Sequence, residues 1–411
     1  MNQAVVLAAG KSSRMWPLSQ HRQKSMYRFL GRPLLEHTLS GLAKAGIKDV
    51  VLVISPEDRD ITERFGSGKR LDLRIRYVEQ PRPAGMGDAI IRASALLEGE
   101  FFVLAGTKVN CADIVRKIRK QARGRAEMVL STVKTNDPAT YGIAYVRGSK
   151  VLRVVEKPKK ARSNIKIGGV YWLTGAFLDT LQHVRQQEYS LEQAIQLFIE
   201  SGHEVRHVTY DNSLDYSLKY PWHILDVNAK LLATLPKKPK VSSKARISRT
   251  AVIKGSVLIE DGVQVMERAV IKGPCYIGKN AVIGDHTLIR ENVSVGEGSL
   301  VGAYTEVKNS WIGSNVKMHG AFLGDSVVDD DARLAKNTVT ANRRFDRAAV
   351  KSKIGRARIS TKLGYLGAIV GMGASTGVNT SLMPGVKIGE FSVIGPGTVV
   401  KRDIPDNSKV Y

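Results

Sequence analysis

A polar segment that follows the first apolar run of the sequence has the residue types of a phosphate-binding loop. The segment LAAGKSSRMWPL (residues 7–18) contains a glycine turn and Arg14, and Lys24 follows a few residues later. Backbone amides of such a turn bind phosphate oxygens, and nearby cations add positive charge. A Walker A box is rejected because its first glycine would fall at Val5, inside the apolar run. An ordinary strand–helix turn is the alternative.

A second candidate position for chemistry lies in FFVLAGTKVN, residues 101–110. The apolar run 101–105 predicts a buried strand that ends at Gly106. Ligands of open α/β sheets bind beyond the carboxyl ends of strands, so the next residues should face a ligand. These residues are Thr107 and Lys108, and neither is a carboxylate. A metal-bound nucleotide at this place would need a carboxylate as metal ligand, but the sequence has a lysine here instead.

Alternating strands and helices must position these residues, and the alternation continues to about residue 235. It predicts a doubly wound, mostly parallel α/β sheet of Rossmann-like type. Predicted strands are 5–8, 50–54, 73–78, 101–105 and 128–133, with strand-like segments at 142–146, 151–156 and 168–173. Predicted helices lie near 34–45, 56–65, 87–98 and 112–124, and a further helix opens at Pro221.

The period of the sequence changes to six residues after a Pro/Lys/Ser-rich linker. Ile or Val occupies every sixth position from 247 to 307, and a second array with the same spacing runs from Val370 to Val400. This repeat predicts a parallel β-helix, in which each six-residue side is a short strand with an inward aliphatic side chain. The predicted domains are therefore residues 1–235, a linker at 236–244 and a β-helix at 245–411.

Composition and charge limit the class of protein. The 411 residues carry a formal charge of +25, which suits phosphorylated ligands and would also suit nucleic acid or an acidic membrane. No apolar run is long enough to span a bilayer, so we expect no membrane partner. Two distant cysteines, Cys111 and Cys275, imply no disulfide framework, which predicts a cytoplasmic protein.

Several motifs, in order, resemble one family. LAAGKSSRM with Lys24, VEQPRPAGMGDA (78–89), YGIAYV (141–146), VEKP (155–158) and YPWHILDVN (220–228) resemble motifs of the sugar-1-phosphate nucleotidyltransferases. HGAFLGDS (319–326), TANRRFD (340–346) and MPGVKIG (383–389) resemble the left-handed β-helix of bifunctional members that also transfer an acetyl group. Such prisms often form trimers, so the resemblance implies a trimer-based homo-oligomer.

The resemblance implies nucleotidyl transfer from a nucleoside triphosphate, UTP or dTTP, to a sugar 1-phosphate. Arg14 and Lys24 would be catalytic cations, and His319 the general base of an acetyl transfer that uses acetyl-CoA. The remaining implied residues are Ala8, Ala9, Gly10, Gln80 and Gly85 for the nucleotide, Gly142, Glu156 and Lys157 for the sugar phosphate, and Asn342 and Lys351 for acetyl transfer.

The chain departs from the family pattern at its metal ligands. Two carboxylates that would bind Mg²⁺ are replaced by Thr107 and Ser217. Asp215, two residues from Ser217, could share its face on a strand and replace one ligand. Lys108 could instead supply positive charge without a metal, and Mg²⁺ could still arrive bound to the triphosphate.

Two other functions remain open at this level. A degenerate relative could bind nucleotide sugar and regulate or scaffold an active enzyme, because both metal carboxylates are replaced. A partner of RNA or of the translation machinery would fit the charge and the pairing of domains. We rank it last, and expect no nucleic-acid partner, because interleaved aromatics and an RNA-binding motif are absent from the sequence.

Overall fold

The computed structural model describes residues 2–10, 12–18, 21–124, 126–211, 213, 215–216 and 218–411. The chain folds into two compact units. The first, here the sheet unit, comprises Met1–Lys11, Ser25–Tyr27 and Pro33–Tyr216, and the second, the hexapeptide unit, comprises Ser12–Lys24, Arg28–Arg32 and Ser217–Tyr411. The division differs from the predicted boundary near residue 235, since it assigns part of the N-terminal loop to the hexapeptide unit.

The sheet unit is built on a nine-stranded sheet. Its strands are β1 (Gln3–Leu7), β2 (Asp49–Ile54), β3 (Arg74–Glu79), β4 (Phe101–Ala105), β5 (Met128–Lys134), β6 (Gly142–Arg147), β7 (Lys150–Glu156), β8 (Ile165–Leu173) and β9 (Val205–Thr209). They lie in the order β3-β2-β1-β4-β8-β5-β9-β7-β6. The first four strands are parallel, as is the pair β5 and β9, whereas β8 is antiparallel to both of its neighbours, β4 and β5.

Helices cover both faces of this sheet, as the doubly wound prediction requires. They are α1 (Leu34–Lys44), α2 (Arg59–Phe65), α3 (Met86–Ser94), α4 (Cys111–Gln121), α5 (Gly175–Gln182) and α6 (Ser190–Glu200). Even-numbered residues of β1 pack with α1, α2 and α4, and Val5 packs with α3, α5 and α6. Alternate side chains of a strand point to opposite faces, so the apolar strands are buried on both sides. No helix among the described residues is long and apolar enough to cross a membrane.

The hexapeptide unit contains three parallel sheets of eight, nine and eight short strands, consistent with the predicted left-handed β-helix. The first sheet runs from Lys240–Val241 to Lys387–Ile388, the second from Arg246–Ile247 to Lys409–Val410, and the third from Val252–Lys254 to Val399–Val400. Strand partners are eighteen residues apart in the first coils, as in Val257 with Cys275, so three six-residue sides make one coil. The predicted six-residue positions line its apolar core.

The coils between the two predicted arrays lie within the predicted β-helix of residues 245–411, but the six-residue count does not extend through them because the repeat shortens there. The core residues after Val307 are Ile312, Met318, Leu323, Val328 and Leu334, and several of these steps are five residues long. The β-helix is therefore continuous from the first array to the second. Between Thr340 and Ile369 the chain leaves the coil and forms the hairpin Lys351–Ile354 with Ala357–Ser360.

Two segments outside the repeats pack within the hexapeptide unit. The helix His223–Leu232, two residues after the predicted start, is joined to a coil through Asn228, which accepts a hydrogen bond from Ser294 Oγ at 2.6 Å. Trp16 Nε1 donates to the Asp406 carboxylate at 3.0 and 3.1 Å, and Arg22 pairs with Asp330 at 2.5 Å. Residues 12–24 therefore gain charged and aromatic contacts with the coils that their sequence did not indicate.

Candidate active site

The turn after strand β4 lies beside the turn after strand β1. The Gly106 amide donates to the Leu7 carbonyl at 2.9 Å, and Thr38 Oγ1 donates to the Gly106 carbonyl at 3.0 Å. Because parallel strands end at the same edge of a sheet, residues 106–108 come next to the start of the glycine loop. The two sequence motifs that were singled out for chemistry thus meet at one edge of the sheet unit.

The start of the glycine loop is partly buried and partly open. Ala8 and Ala9 are buried, and the Ala8 amide donates to the Val53 carbonyl at 2.8 Å. Gly10 is exposed, and no atom lies within 4 Å of the place where a side chain would begin. The backbone at Gly10 is therefore accessible to a ligand.

The two predicted catalytic cations lie near each other in the hexapeptide unit. Burial of the Lys24 ammonium lowers its pKa, and the charge of Arg14 lowers it further. Two cations held close together without a ligand repel each other, which is the arrangement that a polyanion would relieve. The geometry is thus consistent with the role that the resemblance implies for this pair.

Gln80 and Gly85 are joined by a hydrogen bond in the sheet unit. Gln80 is buried, and its Nε2 donates to the Gly85 carbonyl at 3.1 Å and to Asp88 Oδ2 at 2.8 Å. Gly85 has a φ of +100°, and a side chain there would come within 2.5 Å of the Gln187 carbonyl oxygen. Only glycine fits this backbone, which holds the predicted base-binding segment at the start of helix α3.

The predicted sugar-phosphate residues are adjacent. Gly142 and Glu156 are partners in neighbouring strands, and a side chain at Gly142 would come within 2.8 Å of Glu156 Oε2. Lys157 Nζ lies 3.6 Å from Glu156 Oε1 and donates to the Tyr189 hydroxyl at 2.5 Å. The Glu156 carboxylate and the Lys157 ammonium are therefore held side by side next to Gly142. The carboxylate can bind hydroxyl groups and the ammonium can bind a phosphate.

A further carboxyl group that the sequence did not indicate lies beside these residues. Glu192, in the first turn of helix α6, has its Cγ 3.8 Å from the place where a Gly142 side chain would begin. Burial raises the pKa of Glu192 to about 7, with a contribution from the negative charge of Glu156. Its Oε2 has no hydrogen-bond partner among the described residues.

Asp215, the proposed substitute metal ligand, is buried in an ion cluster. Lys166 Nζ lies 2.5 Å from its Oδ2, Lys108 Nζ lies 3.3 Å from its Oδ1, and the Tyr210 hydroxyl donates to Oδ1 at 3.0 Å. Burial raises the pKa of Asp215, but the charges of Lys108 and Lys166 outweigh burial and bring it to about 2. Asp215 is thus an ionised carboxylate with an ammonium group at each oxygen.

These residues do not fit a magnesium ion held by the protein. Thr107 offers a neutral hydroxyl, and both oxygens of Asp215 are engaged by lysines. No group of three or more His, Cys, Asp or Glu side chains suited to a metal occurs among the described residues. Ser217, the second replaced position, lies outside the described residues. The role of Asp215 as a metal ligand stays a prediction.

The residues implied for acetyl transfer lie in the hexapeptide unit. His319 is exposed between strands Lys317–Met318 and Phe322–Gly324. Asn342 Nδ2 donates to Asp325 Oδ2 at 2.6 Å, and Lys351 begins the exposed edge of the hairpin. An exposed imidazole can accept a proton from an incoming amine, so the arrangement is compatible with a general base.

Three functional candidates escaped the sequence reasoning. Lys166 lies in the apolar segment IKIGG, and a lysine inside an apolar strand could have indicated a buried charge. Tyr210 and Glu192 lie in segments without a motif. Their importance follows only from the groups that surround them.

Two family models match the chain. A nucleotidyl transferase model matches residues 3–220, and a bacterial transferase hexapeptide model, of six repeats, matches residues 256–291 and 274–309. The first match spans nearly all of the sheet unit and the second covers early coils of the β-helix. Both halves of the predicted fold are therefore represented.

Relatives match nearly the full chain. "Bifunctional protein GlmU" of Methanococcus maripaludis strain C7 is 37% identical over 99% of this chain and 97% of its own length. A bifunctional sugar-1-phosphate nucleotidylyltransferase/acetyltransferase of Sulfurisphaera tokodaii is 31% identical over 98% of both chains. A glucose-1-phosphate thymidylyltransferase of Streptomyces antibioticus is 27% identical over 64% of this chain and 74% of its own. The chain belongs to the nucleotidyl transferase family, and bacterial transferase hexapeptide repeats follow its nucleotidyl transferase region.

Proposed function

We propose that the chain transfers a nucleotidyl group from UTP or dTTP to a sugar 1-phosphate. A phosphate oxygen of the sugar attacks the α-phosphorus, the bond from that phosphorus to the oxygen bridging the β-phosphate breaks, and pyrophosphate leaves. The observation that carries this proposal is the end-to-end similarity to bifunctional relatives, which includes both units. The comparisons give no support to the alternative of a non-catalytic homologue.

The residues act by positioning and by charge. Gln80 and Gly85 bind the base, while the amides of residues 8–10 bind phosphate oxygens. Arg14 and Lys24 stabilise the charge that develops on the phosphates. Glu156 accepts hydrogen bonds from sugar hydroxyls, and Lys157 binds the sugar phosphate. No step passes through a metal held by the protein, because the residues present do not fit one.

The test measures pyrophosphate release with UTP or dTTP and a panel of sugar 1-phosphates. We expect turnover with at least one pair, and Arg14→Ala should lower kcat by about a hundredfold, because an interaction with developing charge is lost. Arg32→Ala, at an exposed position, is the control and should leave kcat unchanged. The absence of pyrophosphate release with every pair, at high protein concentration, would contradict the proposal.

A second activity, acetyl transfer from acetyl-CoA to an amino-sugar phosphate, is favoured by the position of His319. The amine nitrogen attacks the thioester carbonyl and its proton passes to His319. The carbon–sulfur bond then breaks, and His319 returns the proton to the sulfur, so that coenzyme A leaves as the thiol. Asn342 and Lys351 lie on the same unit and would contact the substrates. Release of free thiol from acetyl-CoA and glucosamine 1-phosphate, abolished in His319→Ala, tests this activity.

The remaining expectations concern the surroundings of the enzyme. Both substrates are small phosphorylated molecules, and the charge of +25 favours their approach. A trimer-based homo-oligomer and a cytoplasmic location stay predictions. Light scattering would measure the first, and a trimer or a multiple of three is expected.

A further inference from the structure

The strongest unassigned feature of the sheet unit is the ion cluster of Lys108, Lys166 and Asp215. It lies where the family pattern has metal carboxylates, since Lys108 directly follows Thr107 at the end of strand β4. Hydrogen bonding of Gly106 to Leu7 places this turn beside the glycine loop. The cluster therefore stands at the edge of the sheet where the proposed function requires the triphosphate.

Counted over the described residues, the cluster carries a net positive charge without any added ion. Two ammonium groups face one carboxylate, so one unit of positive charge remains. A pair of carboxylates with one divalent ion would sum to zero. Adding a divalent cation to the present cluster would oppose two ammonium groups and compete with them for Asp215. A cation bound to Asp215 would lie close to both ammonium groups, and like charges that are close together in a partly buried site repel each other strongly.

The two lysines are held in place by their surroundings. Side-chain exposure is only 14% for Lys108 and 9% for Lys166. Lys166 Nζ also lies 4.2 Å from the centre of the Tyr141 ring. A side chain at Gly169 would come within 3.3 Å of Lys108 Cε, so the glycine makes room for the lysine. Fixed donors bind a ligand without first losing side-chain freedom.

We infer that Lys108, held in place through Asp215 and Lys166, takes the place of a divalent cation and binds phosphate oxygens of the nucleotide directly. Lys108 is the group that reaches the ligand, because its side chain is the more exposed of the two. Asp215 and Lys166 are positioning residues: Asp215 Oδ1 faces the Lys108 ammonium, and Lys166 engages the other carboxylate oxygen. The inference rests on the proposed function and makes nucleotide binding independent of divalent ions.

The test is calorimetric binding of UTP and of dTTP to the full chain, in excess Mg²⁺ and in excess EDTA. We expect the two dissociation constants for the bound nucleotide to agree within about threefold. Binding that is weaker by about tenfold or more in EDTA would overturn the inference and leave the proposed function intact. No binding of either nucleotide in either buffer would overturn both.

Variants sharpen this test. Lys108→Met should weaken binding in EDTA by about tenfold or more, because a charge-assisted contact is lost, whereas Lys108→Arg should retain most of it. Lys120→Met, an exposed lysine of helix α4, is the matched control and should leave binding unchanged. Equal affinity of wild type and Lys108→Met would overturn the inference. The wild-type comparison in the two buffers stands even if Lys108→Met does not fold.

Thr107→Asp tests whether restoring a carboxylate allows the cluster to bind a metal ion. It adds a carboxylate beside the cluster, so binding of Mn²⁺ alone, measured by electron paramagnetic resonance, should become detectable in this variant and stay undetectable in wild type. Tight Mn²⁺ binding by the wild-type chain, lost in Asp215→Asn, would overturn the inference, because it would show that the cluster already accepts a metal.

Discussion

Both units bury hydroxyl groups, but they differ in how their buried charged groups are compensated. The buried polar groups that recur from coil to coil are hydroxyls that donate to backbone carbonyls nearby, at Thr287, Ser299, Ser310, Ser326, Thr338 and Thr380. At the edge of the sheet unit charged or titratable groups are also withdrawn from solvent: Lys166 and Asp215 are buried, and Glu192 is partly buried. A hydroxyl satisfies a turn at small cost, whereas a buried charge is expensive and needs another reason to be present.

This difference in the compensation of buried charges indicates which unit holds the candidate binding site. The hexapeptide unit also withdraws charges from solvent, but these lie beside donors or opposite charges. Glu390 lies 3.1 Å from His21, and Asp325 accepts hydrogen bonds from two asparagines. Asp403, whose Oδ2 makes no hydrogen bond to any residue that the structure describes, lies 3.7 Å from Lys387 Nζ. In the sheet unit the ion cluster keeps an excess positive charge, and Glu192 keeps an oxygen without a partner among the described residues. Such unbalanced groups are typical of binding sites.

The largest effect should come from removing the carboxylate of the ion cluster. Asp215→Asn leaves two buried ammonium groups without their counter-charge, and we expect the free energy of unfolding to fall by about 3–5 kcal/mol. Urea denaturation measures it. Asp226→Asn, which breaks the half-exposed pair with Lys230, is the control and should cost less than about 1 kcal/mol. Equal effects of the two substitutions would remove the contrast between the units.

The next effect depends on pH and concerns Glu192. Its pKa is raised by burial to about 7, so the folded protein holds this proton more tightly than the unfolded chain does. The stabilisation is fully present below the unfolded pKa, near 4.5, and is lost as pH rises through about 7. Relative to Glu192→Gln, wild type should lose up to about 3 kcal/mol of unfolding free energy between pH 5 and 8.

Denaturation curves of both proteins across this pH range measure the difference. Glu200→Gln, exposed at the end of the same helix, serves as the control and should leave the pH dependence as it is in wild type. A constant difference between wild type and Glu192→Gln at all pH values would mean that Glu192 is already ionised in the folded protein.

The smallest effect belongs to the hydroxyls of the coils. Ser299 Oγ donates to the Gly313 carbonyl at 2.8 Å and accepts from the Val316 amide at 3.0 Å. Ser299→Ala leaves both backbone groups buried without this partner, which should cost about 1–2 kcal/mol in urea denaturation. Ser248→Ala, in an outer coil, should cost less than about 0.5 kcal/mol. A cost for Ser299→Ala as large as that for Asp215→Asn would contradict the ranking.

The parts of the fold that could be predicted from the sequence are those with a regular spacing of apolar residues. The aliphatic positions of both six-residue arrays were found because an inward side chain must recur once per side of the prism. The predicted β-helix of residues 245–411 includes the intervening coils, but their aliphatic positions were not found individually because steps such as Val307 to Ile312 shorten to five residues. Eight of the nine strands of the sheet were found from their apolar runs, with ends correct to within about three residues, and β9 was not predicted.

The candidate site was predicted only where a motif carried it. Gly142, Glu156 and Lys157 follow from short local patterns, and the structure brings them together through pairing of adjacent strands. Lys166 and Asp215 are 49 residues apart, and nothing local to either indicates the other. The assignment of residues 12–24 to the hexapeptide unit depends on partners such as Asp330 and Asp406, far away in the chain.

The order of the motifs and the spacing of the aliphatic residues by themselves determined the two kinds of architecture, because both depend on neighbours close in the chain. Only the tertiary structure decided what Asp215 does. Its charge alone suits a metal or a lysine equally, and the choice depends on which groups the folded chain brings to its two oxygens. Since Lys108 comes from the turn after β4 and Lys166 from the adjacent strand β8, their approach is a property of sheet order rather than of local sequence.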